Sequence, residues 1–165
     1  MSNQLVSTFH ALRARALSFL DGKRDVALLL GRLSVGLLFM STGWGKVHHL
    51  DQVTRFFESL GVPMPGANAV LVGYTELLGG AALVVGLFTR VAAFPLAITM
   101  VVALLTAKRG DVHGLFDLVA QDELTYLVVL VMLVILGPGR VALDHLLAGN
   151  GGPAAGRTVA AATVP

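Results

Sequence analysis

Four long apolar stretches dominate the hydrophobic pattern of the chain. They cover Val26–Gly45, Ser59–Thr89, Val91–Ala107 and Leu124–Gly139. Arg32 and Glu76 are the charged residues within them. A soluble helical bundle would need polar positions repeating every turn or two, whereas a membrane-spanning helix needs about 20 mostly apolar residues. The pattern therefore predicts an all-α fold, an integral membrane four-helix bundle with short interfacial amphipathic helices.

The predicted membrane domain covers residues 25–148. Its four spans are expected at approximately 26–47, 66–88, 91–108 and 120–137. Residues 1–24 carry apolar side chains at helical spacing, which is typical of an amphipathic helix lying on a membrane surface. A loose solvated tail is the alternative for that segment. The Gly/Ala/Pro/Thr composition of residues 149–165 predicts a disordered tail.

Local signals predict the connections between these spans. Asp51 suits an N-cap and Gly61 a C′ residue, which predicts a short surface helix between them. The pair Thr89-Arg90 is expected to form a tight turn into the third span. Pro95 would then lie in the first turn of that span, where its missing N–H is tolerated.

The first two spans each carry a stripe of small and polar residues. On the first span, Arg32, Gly36, Phe39, Gly43 and Lys46 fall within about 40° of one line. On the second span, one side holds Ala69, Gly73, Glu76 and Gly80. We expect both stripes to face protein rather than lipid, because small residues allow close helix packing in bilayers.

Composition supports the membrane assignment and limits the chemistry. Of the 165 residues, 55% are hydrophobic and 13% charged, against roughly 25% charged in a typical soluble domain. The net charge of +2 is too small and dispersed to indicate nucleic-acid binding. The absence of cysteine excludes disulfides and thiolate metal sites within this chain. Adjacent His48 and His49 would point about 100° apart on a helix, so no metal site is predicted.

Lys and Arg counts predict the orientation. With four spans both termini lie on one side, and eight of the 12 cations fall there against four on the other. The eight are Arg13, Arg15, Lys23, Arg24, Arg32, Arg90, Arg140 and Arg157. The positive-inside rule then predicts cytoplasmic termini in a bacterial cytoplasmic membrane.

Glu76 is the principal candidate for chemistry. It lies about ten residues, or roughly 15 Å, from either end of its span. An acidic side chain at that depth is costly unless it is protonated or paired, so it marks a functional site by default. Lys46 approaches from the neighbouring span, and Lys46–Glu76 is the predicted pair. The alternatives are a packing role for Glu76 and a Lys46 that extends to the headgroups.

A wider cluster could surround this pair. Glu123 and His113 are expected on the same outer side, and quinol oxidation needs protonatable groups of this kind. Trp44, Tyr74 and Tyr126 could flank a flat quinone ring. The alternative for these aromatic residues is a belt at the membrane interface.

A second polar group is predicted at the inner helix ends. It consists of Arg32, Arg90, Arg140 and Asp144, in which Arg140 and Asp144 have the i, i+4 spacing of a local ion pair. Helix-end anchoring is the predicted role. A binding site for anionic lipid or for a soluble partner is the alternative.

Several of these motifs, in this order, resemble the DoxX family of small four-span membrane proteins. The resembling segments are Arg32 to Lys46, Phe57 to Pro63, Glu76-Leu-Leu-Gly-Gly80, Gly86-Leu-Phe-Thr-Arg90, Glu123, and Gly137-Pro-Gly-Arg140 with Asp144. The resemblance covers about residues 26–147 and implies a four-helix membrane bundle linked to quinone-dependent oxidoreduction.

Three functions follow as expectations. The first is a membrane subunit accessory to a soluble or peripheral quinone-linked oxidoreductase, with quinone as the cofactor. The second is a non-catalytic scaffold that recruits partners or further copies of itself. The third is a small proton or solute conduit, against which the narrow lumen of four helices argues.

Overall fold

The computed structural model describes residues 23–139 and 141–144. Its helices are α1 (Arg24–His48), α2 (Leu50–Ser59), α3 (Pro65–Val85), α4 (Thr89–Leu105), α5 (Leu115–Val119) and α6 (Asp122–Leu136). No strand occurs in these residues, so the all-α prediction is confirmed for them. The predicted N-terminal helix lies outside the described residues for positions 1–22. The same holds for Arg140 and for the tail at 149–165.

Two of the helices are long and apolar enough to cross a membrane. By length and composition these are α1, with 25 residues, and α3, with 21. The apolar helix α4 has 17 residues. Helix α6 has 15 residues and carries no charge after Glu123. The latter two therefore need flanking residues to reach the length of a span.

The helices α1, α3, α4 and α6 pack in a ring in that order. The α1–α3 interface is the most extensive, followed by that between α4 and α6, and the contact that closes the ring between α1 and α6 is the smallest. Helix α2 packs on α3. Gly36 faces Val84 and Gly43 faces Leu77, so α1 and α3 run antiparallel.

Glycine brings the backbones of α1 and α3 into contact. A Cβ atom placed on Gly43 would lie 2.3 Å from the backbone N of Leu77, and one on Gly80 would lie 2.4 Å from the backbone N of Met40. Real Cβ atoms do not approach other atoms so closely. The prediction that these stripes face protein is confirmed, because Arg32, Gly36, Phe39 and Gly43 are buried on α1, and Ala69, Gly73, Glu76 and Gly80 on α3.

Three local predictions are wrong at helix ends. Asp51 lies inside the first turn of α2, because the helix starts one residue earlier and His49 is its N-cap. The turn between α3 and α4 is Gly86–Phe88, where Gly86 has φ +75°, and Thr89 already begins α4. That early start places Pro95 beyond the first turn of α4.

Asp144 caps α4 from a distant part of the sequence. Its carboxylate accepts hydrogen bonds from the backbone N–H groups of Phe88 at 2.7 Å and Thr89 at 3.0 Å. Its own N–H donates to the carbonyl of Gly86 at 3.0 Å. An N-terminal helix turn has unsatisfied N–H groups and a positive dipole end, both of which favour a carboxylate. The segment after α6 is thereby attached to the α3–α4 turn.

Asp144→Ala is expected to destabilise the protein by about 0.5–2 kcal/mol, the usual range for the loss of an N-cap side chain. The apparent midpoint of thermal unfolding in detergent measures this effect. Asp144→Asn keeps one oxygen that can accept a hydrogen bond, and it should lose less. An alanine variant with the midpoint of the parent would contradict the capping role.

Candidate functional site

The polar site between α1 and α3 consists of Lys46, Glu76 and Thr42. The Lys46 ammonium donates to Oε2 of Glu76 in an ion pair. The Thr42 hydroxyl donates to the same oxygen at 3.0 Å. The structure thus brings together Lys46 and Glu76, and it adds a third polar group that lies one helical turn before Lys46.

The close approach of α1 and α3 positions this site. Gly73 lies one turn before Glu76, and a Cβ atom on it would be 3.4 Å from Cβ of Lys46. The Lys46 side chain therefore begins against a glycine, and its stem has space to extend towards the carboxylate. Gly43, on the same stripe of α1, brings the backbone of this helix against Glu76 and Leu77.

The two charges differ in burial. The Glu76 side chain is 2% exposed, whereas that of Lys46 is 30% exposed. Charge pairing and hydrogen bonding offset the cost of burying the carboxylate. The site is therefore closed on the Glu76 side and open on the Lys46 side, where a polar molecule could reach the ammonium group.

Sequence reasoning did not identify Thr42. A threonine in an apolar helix usually donates to a carbonyl three or four residues earlier, and Thr42 also approaches the Phe39 carbonyl at 3.2 Å. Its position four residues before Lys46 places both on neighbouring turns of one face. This i, i+4 spacing is the feature of the sequence from which Thr42 could have been identified as part of the site.

The structure places Glu123 in a different ion pair. Its Oε1 lies 3.6 Å from Nζ of Lys108, which follows α4. Its Oε2 is buried and has no hydrogen-bond partner among the described residues. Glu123 thus faces the loop after α4 rather than joining the Lys46–Glu76 pair.

The candidate quinone-flanking residues lie in different environments. Trp44 is exposed and its ring centroid lies 4.1 Å from that of His48. Tyr74 is also exposed. Tyr126 packs edge-on against Phe39, with centroids 6.3 Å apart. His113 is exposed before α5, and its backbone N–H donates to Asp117.

Towards the opposite end of α1, Arg32 is buried and links this helix to two other segments by hydrogen bonds. Its side chain is 1% exposed. Nε donates to the Leu83 carbonyl at 2.8 Å and Nη1 to the Pro138 carbonyl at 2.7 Å. Arg32 thus joins α1 to the end of α3 and to the segment after α6.

Arg90 makes a similar connection while remaining exposed. It donates to the Ile135 carbonyl at 3.2 Å. The start of α4 is thereby joined to the end of α6. The predicted Arg140–Asp144 ion pair involves a residue outside the described ones.

The described residues provide no cluster for a metal ion. Within 23–139 and 141–144, no group of three or more His, Asp or Glu side chains could hold one. The Lys46 site itself presents an ammonium donor, a hydroxyl donor and a carboxylate that can accept hydrogen bonds.

The sequence of the chain matches that of a known protein family. The sequence model of the DoxX family matches residues 27–109, about half of the chain. The matched segment contains α2 to α4 and all of α1 but its first three residues, and therefore includes Thr42, Lys46 and Glu76.

Proteins of several bacteria are similar over most of the chain. An uncharacterized membrane protein of Mycobacterium tuberculosis is 38% identical, covering 70% of this chain and 78% of that protein. The inner membrane protein YqjF of Escherichia coli is 33% identical, covering 74% and 93%. A Bacillus subtilis protein named "Putative oxidoreductase CatD" is 29% identical, covering 73% and 86%. No solved structure matches the chain significantly.

Proposed function

The chain is a membrane protein of the DoxX family, and from that premise we propose that it is an accessory subunit of a quinone-linked oxidoreductase. In this proposal Lys46, Glu76 and Thr42 form the polar site for the quinone headgroup. A quinol bound there is oxidised, and its electrons pass to a soluble or peripheral partner subunit. The observation that carries the proposal is the Lys46–Glu76 ion pair between the apolar helices α1 and α3, in which Glu76 is buried and Lys46 is partly exposed.

The donors and acceptor of this site fit the headgroup of a quinone. A quinone carbonyl accepts hydrogen bonds, and the Lys46 ammonium has further N–H donors besides the one that Glu76 accepts. The single O–H of Thr42 is donated to Glu76, so Thr42 holds the carboxylate in position. Oxidation of a bound quinol releases two protons. In this proposal the Glu76 carboxylate accepts one of them, and the other leaves on the exposed Lys46 side of the site.

The packing of α1 against α3 determines the side of approach. The backbones touch at Gly43 and Gly80, so no ring can enter between these two helices. Lys46 is the exposed member of the pair. A headgroup would therefore reach the site from the outside of the bundle, where the isoprenoid tail of a quinone can remain in lipid.

The proposed setting is a bacterial cytoplasmic membrane crossed four times by α1, α3, α4 and α6. The name of the Escherichia coli relative, an inner membrane protein, supports this location. The excess of Lys and Arg near the termini supports cytoplasmic ends. The name of the Bacillus subtilis relative supports the link to oxidoreduction.

Glu76→Gln is expected to reduce the quinone that copurifies with the protein by about tenfold. This corresponds to the loss of one charge-assisted interaction, worth about 1.5 kcal/mol. The test is to purify parent and variant in mild detergent, extract and quantify quinone, and measure quinol oxidation by each. Glu58→Gln is the matched control, because Glu58 is an exposed acid on α2.

A different result would assign the pair to helix packing. A scaffold role is favoured by the glycine interface, which the ion pair crosses and which it could hold together. If the parent contains no quinone and Glu76→Gln fails to fold, the redox proposal is wrong and the scaffold is correct.

A further inference from the structure

A crevice lies between α1 and α6, at the smallest interface of the bundle. We call it the α1–α6 crevice. Its floor contains Leu28 and Leu133, which are 7% and 1% exposed. Its rim contains Met132 and Leu136, which are 49% and 38% exposed. The crevice therefore opens to the outside of the bundle, on the surface that a membrane protein presents to lipid.

The crevice has one charged end and one apolar end. Arg24 and Gly31 both line it and are seven residues apart on α1, or about 10 Å. Arg24 is exposed at the beginning of α1. At Gly31 a Cβ atom would meet a single neighbour, the Val129 side chain at 3.8 Å. Glycine thus leaves open the space into which a side chain at position 31 would project.

We propose that the α1–α6 crevice binds one acyl chain of an anionic phospholipid, whose phosphate lies on Arg24. The crevice has a volume of about 230 Å³, below the roughly 300–1,000 Å³ of small-molecule pockets. That size and its length of about 10 Å suit a segment of one hydrocarbon chain rather than a ring system.

Charge complementarity identifies the headgroup. Among the described residues that line the crevice, Arg24 is the one that carries a charge, and an exposed cation at a membrane surface attracts anionic lipid. The next residue, Asp25, lies near Gly139 instead. A Cβ atom placed on Gly139 would be 3.2 Å from the Asp25 carboxylate. The carboxylate is therefore not part of the crevice lining.

Two variants test the two parts of this site. The probe is a nanodisc with equal amounts of phosphatidylglycerol and phosphatidylcholine, from which the protein is released for native mass spectrometry. Parent protein should retain phosphatidylglycerol preferentially. Arg24→Gln should lower its retention about fivefold, the effect of one surface cation on anionic lipid. Gly31→Leu should fill the crevice and lower retention by a similar factor.

Matched controls distinguish this site from general charge and helix effects. Arg55→Gln removes an exposed cation from α2, and Gly45→Leu changes an open glycine of α1 outside the crevice. Both should retain phosphatidylglycerol as the parent does. Equal retention of the two lipids by the parent, or unchanged retention in Gly31→Leu, would overturn the proposal. A dimer of the parent that Gly31→Leu converts to monomer would instead assign the crevice to a second copy.

Discussion

Gly43→Ala is expected to destabilise the protein by about 1–3 kcal/mol, the range for inserting a methyl group into a closely packed interior. The new Cβ atom would lie 2.3 Å from the backbone N of Leu77 and 2.7 Å from its Cα. Backbone atoms cannot rotate away, so α1 and α3 must separate. The apparent midpoint of thermal unfolding in detergent measures the effect.

Helix propensity alone would predict the opposite result, a gain in stability for Gly43→Ala. Alanine favours a helix over glycine by about 1 kcal/mol, so a loss of stability can come only from the contact with α3. Gly45→Ala is the matched control, because position 45 has no heavy atom within 4 Å of an added Cβ. Its midpoint should stay the same or rise. Equal midpoints for Gly43→Ala and Gly45→Ala would contradict the close α1–α3 packing.

The same interface explains why the Lys46–Glu76 pair could be predicted from the sequence. Each side chain lies on a stripe that also carries glycines, and the stripes of antiparallel neighbouring helices meet. A charge in a long apolar stretch must find a partner or face water. The helical periodicity and the cost of burying a charge therefore favoured this pair, although a Lys46 that extends to the headgroups remained the alternative.

The contacts of Asp144 and Glu123 could not be predicted in this way. Asp144 caps a helix that begins 55 residues earlier, and it reaches that helix because the chain turns at Gly137 and Gly139, which have φ values of +82° and +74°. Glu123 meets Lys108 across a connection that includes α5. Hydrophobic periodicity determines which face of a helix is buried, but it contains no information on how irregular segments fold back.

Arg32 is a further residue whose contacts could not be predicted from the sequence. The sequence places it on the buried stripe of α1 and predicts helix-end anchoring, without identifying its partners. Its guanidinium donates to carbonyls of Leu83 and Pro138. Carbonyls near helix ends lack helical partners, so an arginine near several helix ends can satisfy them. Identifying which carbonyls it reaches requires the positions of three separate segments.

Lys46→Met is expected to destabilise the protein by about 3 kcal/mol, at the lower end of the range for breaking a buried ion pair. The variant leaves the Glu76 carboxylate 2% exposed and without its cation. Glu76→Met should be milder, because Lys46 is 30% exposed and its long side chain can turn outward to polar surroundings. Thermal unfolding of both variants in detergent measures this asymmetry, and equal losses would contradict it.

The double variant Lys46→Met/Glu76→Met tests whether the polar pair is needed for quinone binding or only for stability. Replacing both members of a buried ion pair with apolar residues of similar size is often neutral or stabilising, so this variant should recover most of the stability lost in Lys46→Met. Under the proposed function it is folded but retains no more quinone than Glu76→Gln. A folded double variant that keeps the quinone content of the parent would show that the pair serves packing alone, because the polar groups would then be dispensable for the headgroup.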